Sequence, residues 1–271
     1  ISLTGGTEKS TYKFAYTNNN ETGLLPNSSL NKNSLNGNFS YDFAENFTAT
    51  AFFTYTRQNT TGRNVTGYSG NIISGFRQWW PVNVDLKQLE RAYNLTGTNY
   101  TWNWAGEEAN TGPAYWDNPY WSRYKNYQND TRNRLLTGVN LSYDVTKDIN
   151  ILGRVAIDKT DDKIEERVAE GSVPTSFGIK YRDESAGYQK YTRNYMQQTY
   201  DLIATFQKDL SENVNLRVLG GGSFLQQDTE SFQGSTLGGL LVPGLYSLGN
   251  TVSYVAPVES NLKKQKSGLY G

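Results

Sequence analysis

A short stretch recurs along the chain at residues 41–47 (YDFAENF), 143–149 (YDVTKDI) and 208–214 (KDLSENV). Each copy reads Asp, apolar, two mostly polar residues, Asn or Asp, apolar. Asp and Asn side chains bond nearby backbone and favour tight turns. Each copy lies between long runs in which apolar and polar residues alternate, so each is read as the turn of a β-hairpin. Leu35, Gly37, Phe39, Tyr41 and Phe43 share one face of the run before the first turn, and Phe47, Ala49, Ala51, Phe53 and Tyr55 share one face after it. Leu135, Val139, Leu141, Tyr143 and Val145 do so before the second turn, and Ile149, Ile151, Val155 and Ile157 after it. The third pair carries Tyr200, Leu202, Ala204 and Phe206, then Val214, Leu216, Val218 and Phe224. The stretches joining one hairpin to the next are long and uneven. Tight turns on one edge and long loops on the other are the layout of a transmembrane β-barrel.

Alternation alone also suits a soluble β-sandwich, in which the apolar faces form a core. Other features favour the membrane. Strands in globular proteins average about 5–6 residues, whereas a barrel strand needs about 9–11 to cross a bilayer at its tilt. The runs here are of the longer kind. The apolar faces carry no Lys or Arg, and Arg154 and Arg217 fall on the opposite faces. A Lys or Arg facing lipid at mid-bilayer costs about 2–4 kcal/mol. Tyr41, Phe43, Phe47, Tyr143 and Phe206 gather beside the turns, where an interfacial aromatic girdle would sit. The reading is all-β: an antiparallel transmembrane β-barrel fragment of about nine strands.

Composition narrows the chemistry. The 271 residues include no Cys and no His, which removes disulfides, thiol chemistry and the commonest metal ligand and general base. Formal net charge is zero, so no bulk electrostatic footprint for nucleic acid exists. The mean hydropathy of −0.67 is compatible with a barrel, whose lumen residues dilute its lipid-facing ones. The chain starts at Ile1 rather than Met and stops at Gly271 within a rising alternation, which reads as a piece of a longer protein.

Residues 1–271 are read as one barrel domain with loops at 58–131, 160–193 and 228–259. All of the Trp residues lie in the first loop. A stretch so long is usually functional or disordered, and its aromatic content argues for order. One helix is expected after Pro81, with Asp85 as its N-cap before Leu86, Leu89 and Tyr93. Aromatic faces stack on sugar rings and anchor protein interfaces. The candidate substrate or lid contacts are therefore Trp79, Trp80, Trp102, Trp104, Trp116, Tyr120 and Trp121. The competing role for these rings is to pack the loop against itself.

Other clusters carry less. Asp158, Asp161, Asp162, Glu165 and Glu166 are oxygen ligands suited to calcium, but EF-hand spacing is absent and a solvated loop compensated by Lys is the plainer reading. Glu107 and Glu108 are adjacent rather than opposed, as a glycosidase pair would need to be. The Gly220–Gly222 run lacks the setting of a phosphate loop. No nucleophile–base constellation can be assembled, so neither an enzyme nor a cofactor is expected.

The segment at 5–12 (GGTEKSTY), the strand opening at 31–38 (NKNSLNGN) and the repeated turns resemble the barrel of SusC/RagA-type TonB-linked outer-membrane transporters of Bacteroidetes. The resemblance spans the chain, although no plug domain or TonB box lies within it. It implies an early-to-middle part of a plugged barrel of about 22 strands in the outer membrane. It implies energised import of oligosaccharides or peptides, a SusD-like surface lipoprotein as lid, and the TonB complex acting through parts outside this segment. A passive porin-like barrel and a soluble carbohydrate-binding sandwich are the alternatives.

Overall fold

The computed structural model describes residues 1–66, 71–106 and 112–271. In chain order the strands are β1 (Ser2–Thr7), β2 (Ser10–Thr22), β3 (Ser29–Ala44) and β4 (Phe47–Arg63). Three helices follow, α1 (Ile72–Gln78), α2 (Leu86–Thr96) and α3 (Pro119–Lys125). Then come β5 (Gln128–Thr146), β6 (Ile149–Val168), β7 (Thr175–Phe177), β8 (Arg182–Glu184), β9 (Gly187–Ser211), β10 (Val214–Ser235) and β11 (Val258–Tyr270). Nine strands form one antiparallel sheet in the order β1-β2-β3-β4-β5-β6-β9-β10-β11, and β7 and β8 form a separate ribbon. The all-β expectation holds.

The recurring stretches are two-residue turns, centred on Glu45 and Asn46, Lys147 and Asp148, and Glu212 and Asn213. Glu8 and Lys9 make a fourth on the same edge. The three repeats share one geometry. Asp42 pairs with Thr48 while Ala44 pairs with Phe47, so Phe43 is left over as a bulge. Val145 and Leu210 are left over in the same way. Each Asp then accepts a side-chain hydrogen bond across its own hairpin, from Thr48 Oγ1 at 2.6 Å, Asn150 Nδ2 at 2.8 Å and Asn215 Nδ2 at 2.6 Å. The sequence reading had these carboxylates bonding local backbone; their partners are instead side chains six positions on. Successive turns are also tied together. Lys9 O accepts from Asp42 N, Asn46 O from Asp144 N, and Asp148 O from Gln207 N, at 2.8–2.9 Å.

The strands run further toward the loop edge than alternation indicated. β6 continues to Val168 and β9 begins at Gly187, inside the stretch assigned to the 160–193 loop. β4 and β10 likewise extend to Arg63 and Ser235. Here both faces are polar, so the period-two signal disappears while the hydrogen-bonded ladder goes on. The acidic run shows this directly. Asp158 and Asp162 face one way, toward Arg134 at 2.6 Å and toward Arg132 and Arg193, each at 2.6 Å. Asp161 and Glu165 face the other way, beside Lys159 and Lys163. The run is strand rather than loop, and no metal-holding acidic group exists among the described residues.

Register places the apolar residues on one side. Tyr12, Phe39, Ala51, Val139, Val155, Tyr200 and Phe224 pair in succession across the sheet. The large residues of this row are each 38–43% exposed. Soluble monomers rarely leave apolar patches of more than a few hundred Å² uncovered. A sandwich would need a second sheet over this face. Among the described residues the remaining strands are only the short β7–β8 ribbon. The opposite face is polar and carries Arg154 paired with Asp201 at 3.1 Å.

The apolar band has aromatic borders. Near the turns, Tyr41, Phe43, Phe47 and Tyr143 follow one another with ring centroids 4.7–6.2 Å apart. At the loop side, the hydroxyls of Tyr16 and Tyr55 donate to Asn33 and Asn133. Each ring thus has its apolar body in the band and its polar tip beyond it, the arrangement favoured at a membrane interface. No helix among the described residues is long and apolar enough to cross a membrane. The strands have the length and facing to do so.

Candidate functional site

The buried apolar residues lie almost entirely at the loop edge. Leu89, Val168, Ala169, Phe177, Ala186 and Leu240 are each 4–8% exposed. The mouth of the sheet therefore has a core of its own, and asparagine holds it together. α2 begins where expected: the Asp85 carboxylate caps Lys87 N at 2.8 Å. It ends at Gly97, whose φ of 64° suits glycine. α1 and α3 follow the same rule, with Asn71 and Asn118 as N-caps.

Asn118 is completely buried. Its side-chain oxygen accepts from Tyr120 N and Trp121 N, and its amide donates to Leu89 O and Tyr100 O. One residue thus starts α3 and fixes it to α2. Asn103 accepts from Tyr115 N and Trp116 N and donates to Trp116 O, closing the 103–116 loop. Asn126 accepts from Ala169 N at 2.6 Å, which docks the end of α3 on the 169–173 turn. Arg123, 3% exposed, reaches into the β2–β3 and β4 ends. Its guanidinium donates to the carbonyls of Pro26 at 2.9 Å, Arg63 at 3.4 Å, Asn27 and Gly62. Asn27 Nδ2 donates back to Arg123 O at 2.8 Å. Among the described residues no carboxylate pairs with this cation; backbone dipoles hold it, and burial pulls its pKa below the ordinary arginine value.

The aromatic candidates separate into distinct roles. Trp80 contacts Phe76 and Trp102 edge-on, with centroids 5.6 and 6.3 Å apart. Trp116 lies over α1 at Gly75, where any Cβ would come within 2.8 Å of the indole. Trp121 donates to Ser172 Oγ at 3.3 Å and is half-buried, as is Tyr120. Trp79 and Trp104, by contrast, are 54% and 51% exposed. Trp104 is held from one edge by its bond to Thr101 O at 2.6 Å and by Tyr100 at 5.7 Å. Packing thus occupies most of the rings, and the presented ones are Trp79 and Trp104. Glu107 and Glu108 lie outside the described residues.

Between this insert, the 173–181 segment and the inner face of the wall is a cavity of about 710 Å³. That is within the range of small-ligand sites, about 300–1,000 Å³. Trp80 and Trp116 line one side, and Gln128, Glu166 and Gln189, consecutive partners across β5, β6 and β9, line another. Sequence reading singled out the Trp residues and missed Asn118, Arg123, Asp117 and Gln189. One available signal was Asn118-Pro119, an N-cap followed by Pro at the first helical position.

No protein-family model matches this chain, and no curated protein does. Solved structures do. The chain is similar to one in "Structure of the RagAB peptide transporter", with TM-score 0.69 and 12% identity over 99% of this chain. It is also similar to chains of the RagAB peptide importer in the "closed-closed" state (TM-score 0.66, 13% identity, 97% of this chain) and the "open-open" state (0.64, 12%, 99%). What the chain shares with them is the fold. The chain spans 27–28% of the length of those relatives.

Asp117 gives the mouth a pH dependence. Its carboxylate accepts from Asn99 Nδ2 and Val173 N, each at 2.7 Å, linking the insert to the 169–186 loop. Desolvation pushes its pKa up to about 6, with the two hydrogen bonds opposing that shift. A carboxyl with a raised folded pKa stabilises the fold fully below its unfolded pKa, and loses that contribution as pH rises through the folded value. Docking of the insert should therefore tighten between pH 7 and pH 5. The protection of the Val173 amide, the slowing of its exchange relative to an unstructured peptide at the same pH, should rise over that interval, and Asp117→Asn should remove the rise; an unchanged profile in the variant would refute the assignment.

Proposed function

We propose that this chain is a segment of an outer-membrane, TonB-dependent importer whose folded extracellular mouth meets the cargo and a SusD-like lipoprotein lid. The observation that carries this reading is the combination of an outward apolar wall with a packed mouth, in a fold shared with a peptide transporter chain. The likeness to a peptide transporter favours peptides over oligosaccharides as cargo. We assign no catalytic role. Energy for import would come from the TonB complex, through parts of the protein outside this segment.

The test is uptake of labelled oligopeptides by cells with and without the intact gene, before and after a protonophore. Uptake that needs both the gene and the proton gradient is expected. Gene-dependent uptake that survives the protonophore would show a passive pore instead. Within the mouth, Trp79→Ala and Trp104→Ala should weaken cargo or lid capture while leaving outer-membrane yield unchanged, because about half of each residue is exposed, at 54% and 51%. Trp102→Ala should instead loosen the insert, since Trp102 contacts Trp80. Equal effects of Trp102→Ala and Trp104→Ala on yield would contradict this division.

A further inference from the structure

The mouth cavity contains one charge that the protein itself does not use. Its charged lining residues are Arg63, Asp117, Arg123, Glu166 and Arg167. Arg63 is paired with Asp130. Arg123 is saturated by backbone carbonyls, and Asp117 accepts from Asn99 and Val173. The Arg167 guanidinium is stacked on Tyr127 at 3.7 Å and on Tyr246 at 4.9 Å. Glu166 alone has no ion pair, side-chain hydrogen bond or ring contact among the described residues. Its cross-strand neighbours are Gln128 and Gln189, which are neutral.

The surroundings suit a ligand more than bulk water. Glu166 is half-buried at the loop edge of the inner face, with the cavity in front of it. The flanking amides can each donate and accept. On the facing wall, Trp80 and Trp116 present aromatic surface to the cavity. Aromatic walls, amides on either side and one unpaired carboxylate match an amine next to a peptide group.

We propose that this cavity is a cargo subsite in which Glu166 binds a primary ammonium group, from a peptide amino terminus or a lysine side chain, while the flanking amides engage the adjoining peptide bond. The inference rests on the importer reading and deepens it by naming what the mouth selects. A neutral oligosaccharide would offer Glu166 hydroxyl donors but no opposite charge.

The experiment is equilibrium binding to the full-length transporter, purified with any partner that accompanies it. Three probes are compared: penta-alanine with a free amino terminus, N-acetyl-penta-alanine amide, and N-acetyl-tetra-alanyl-lysine amide. Charge-assisted hydrogen bonding predicts at least about tenfold tighter binding of one or both amine-bearing peptides than of the blocked one. The free-terminus and lysine probes tell the two sources apart. Glu166→Gln, which conserves shape beside Gln128 and Gln189, should abolish the preference without weakening the blocked peptide. Equal binding of all three probes, no binding of any, or a preference that survives Glu166→Gln would overturn the proposal. Gene-dependent, energised peptide uptake without amine preference would leave the importer reading standing and remove only this subsite. Amine preference without energised uptake would do the reverse.

Discussion

Val139→Arg should prevent the wall from assembling in a membrane, and Thr50→Arg should not. Val139 sits in the outward row between Ala51 and Val155, near the middle of the apolar band and 43% exposed. Arginine there would face hydrocarbon, at a cost of about 2–4 kcal/mol. Proteins of this kind have total stabilities of about 5–15 kcal/mol, so one such residue removes a large share. Thr50 is one strand away on the inner face, between Ser40 and Asn140. Arginine there meets neutral polar side chains. Asn140 itself is the poorer control, because it lies directly opposite Arg154. The measurement is the yield of folded, protease-resistant protein in the outer-membrane fraction. Similar yields for the two variants would contradict the assignment of faces.

The second large effect is expected at Arg123. Arg123→Ala should leave the wall assembled but release the 64–127 insert from it. The substitution strips donors from the carbonyls of Pro26, Asn27, Gly62 and Arg63. Each buried acceptor left unsatisfied costs about 1–3 kcal/mol, less where water can enter. Arg123→Lys should rescue little, because a single ammonium cannot reach carbonyls spread around a planar fork. Limited proteolysis of intact cells gives the readout. Cleavage within the insert should accelerate in both variants while wall yield stays near that of the parent. A protease-resistant insert in Arg123→Ala would show that this staple is dispensable.

The wall was readable from sequence because lipid and lumen impose opposite chemistry on alternate residues. That contrast places Val139 and Asn140 correctly without any structure. It fails above the membrane, where Asp161 and Asp162 are both polar although their backbone is still paired in β6. The mouth was legible only in part. α2 has a capped, amphipathic pattern long enough to see. α1 and α3 are single short segments that would not persist alone, since helices below about 12–15 residues are marginal in water. α3 exists because Asn118 and Arg123 tie it to distant chain, and α1 because Trp116 packs on it at Gly75. Such bonds link residues as far apart as Asn27 and Arg123, and no local pattern announces them. The Trp residues advertised the importance of the insert but not which rings it keeps for itself.

The bulged turns have a bearing on how such a chain can change over generations. Every hairpin is aligned to the next at one edge, by the turn carbonyls that accept from Asp42, Asp144 and Gln207. The vertical setting of the strands is therefore fixed without reference to the other edge. Residues can be added, deleted or exchanged in the 64–127, 169–186 and 236–257 stretches without sliding one strand past another. A one-residue deletion in a turn has the opposite result, because it would reverse the facing of the strand that follows. Variation is thereby confined to one rim, and the opposite rim holds the frame on which it is tried out.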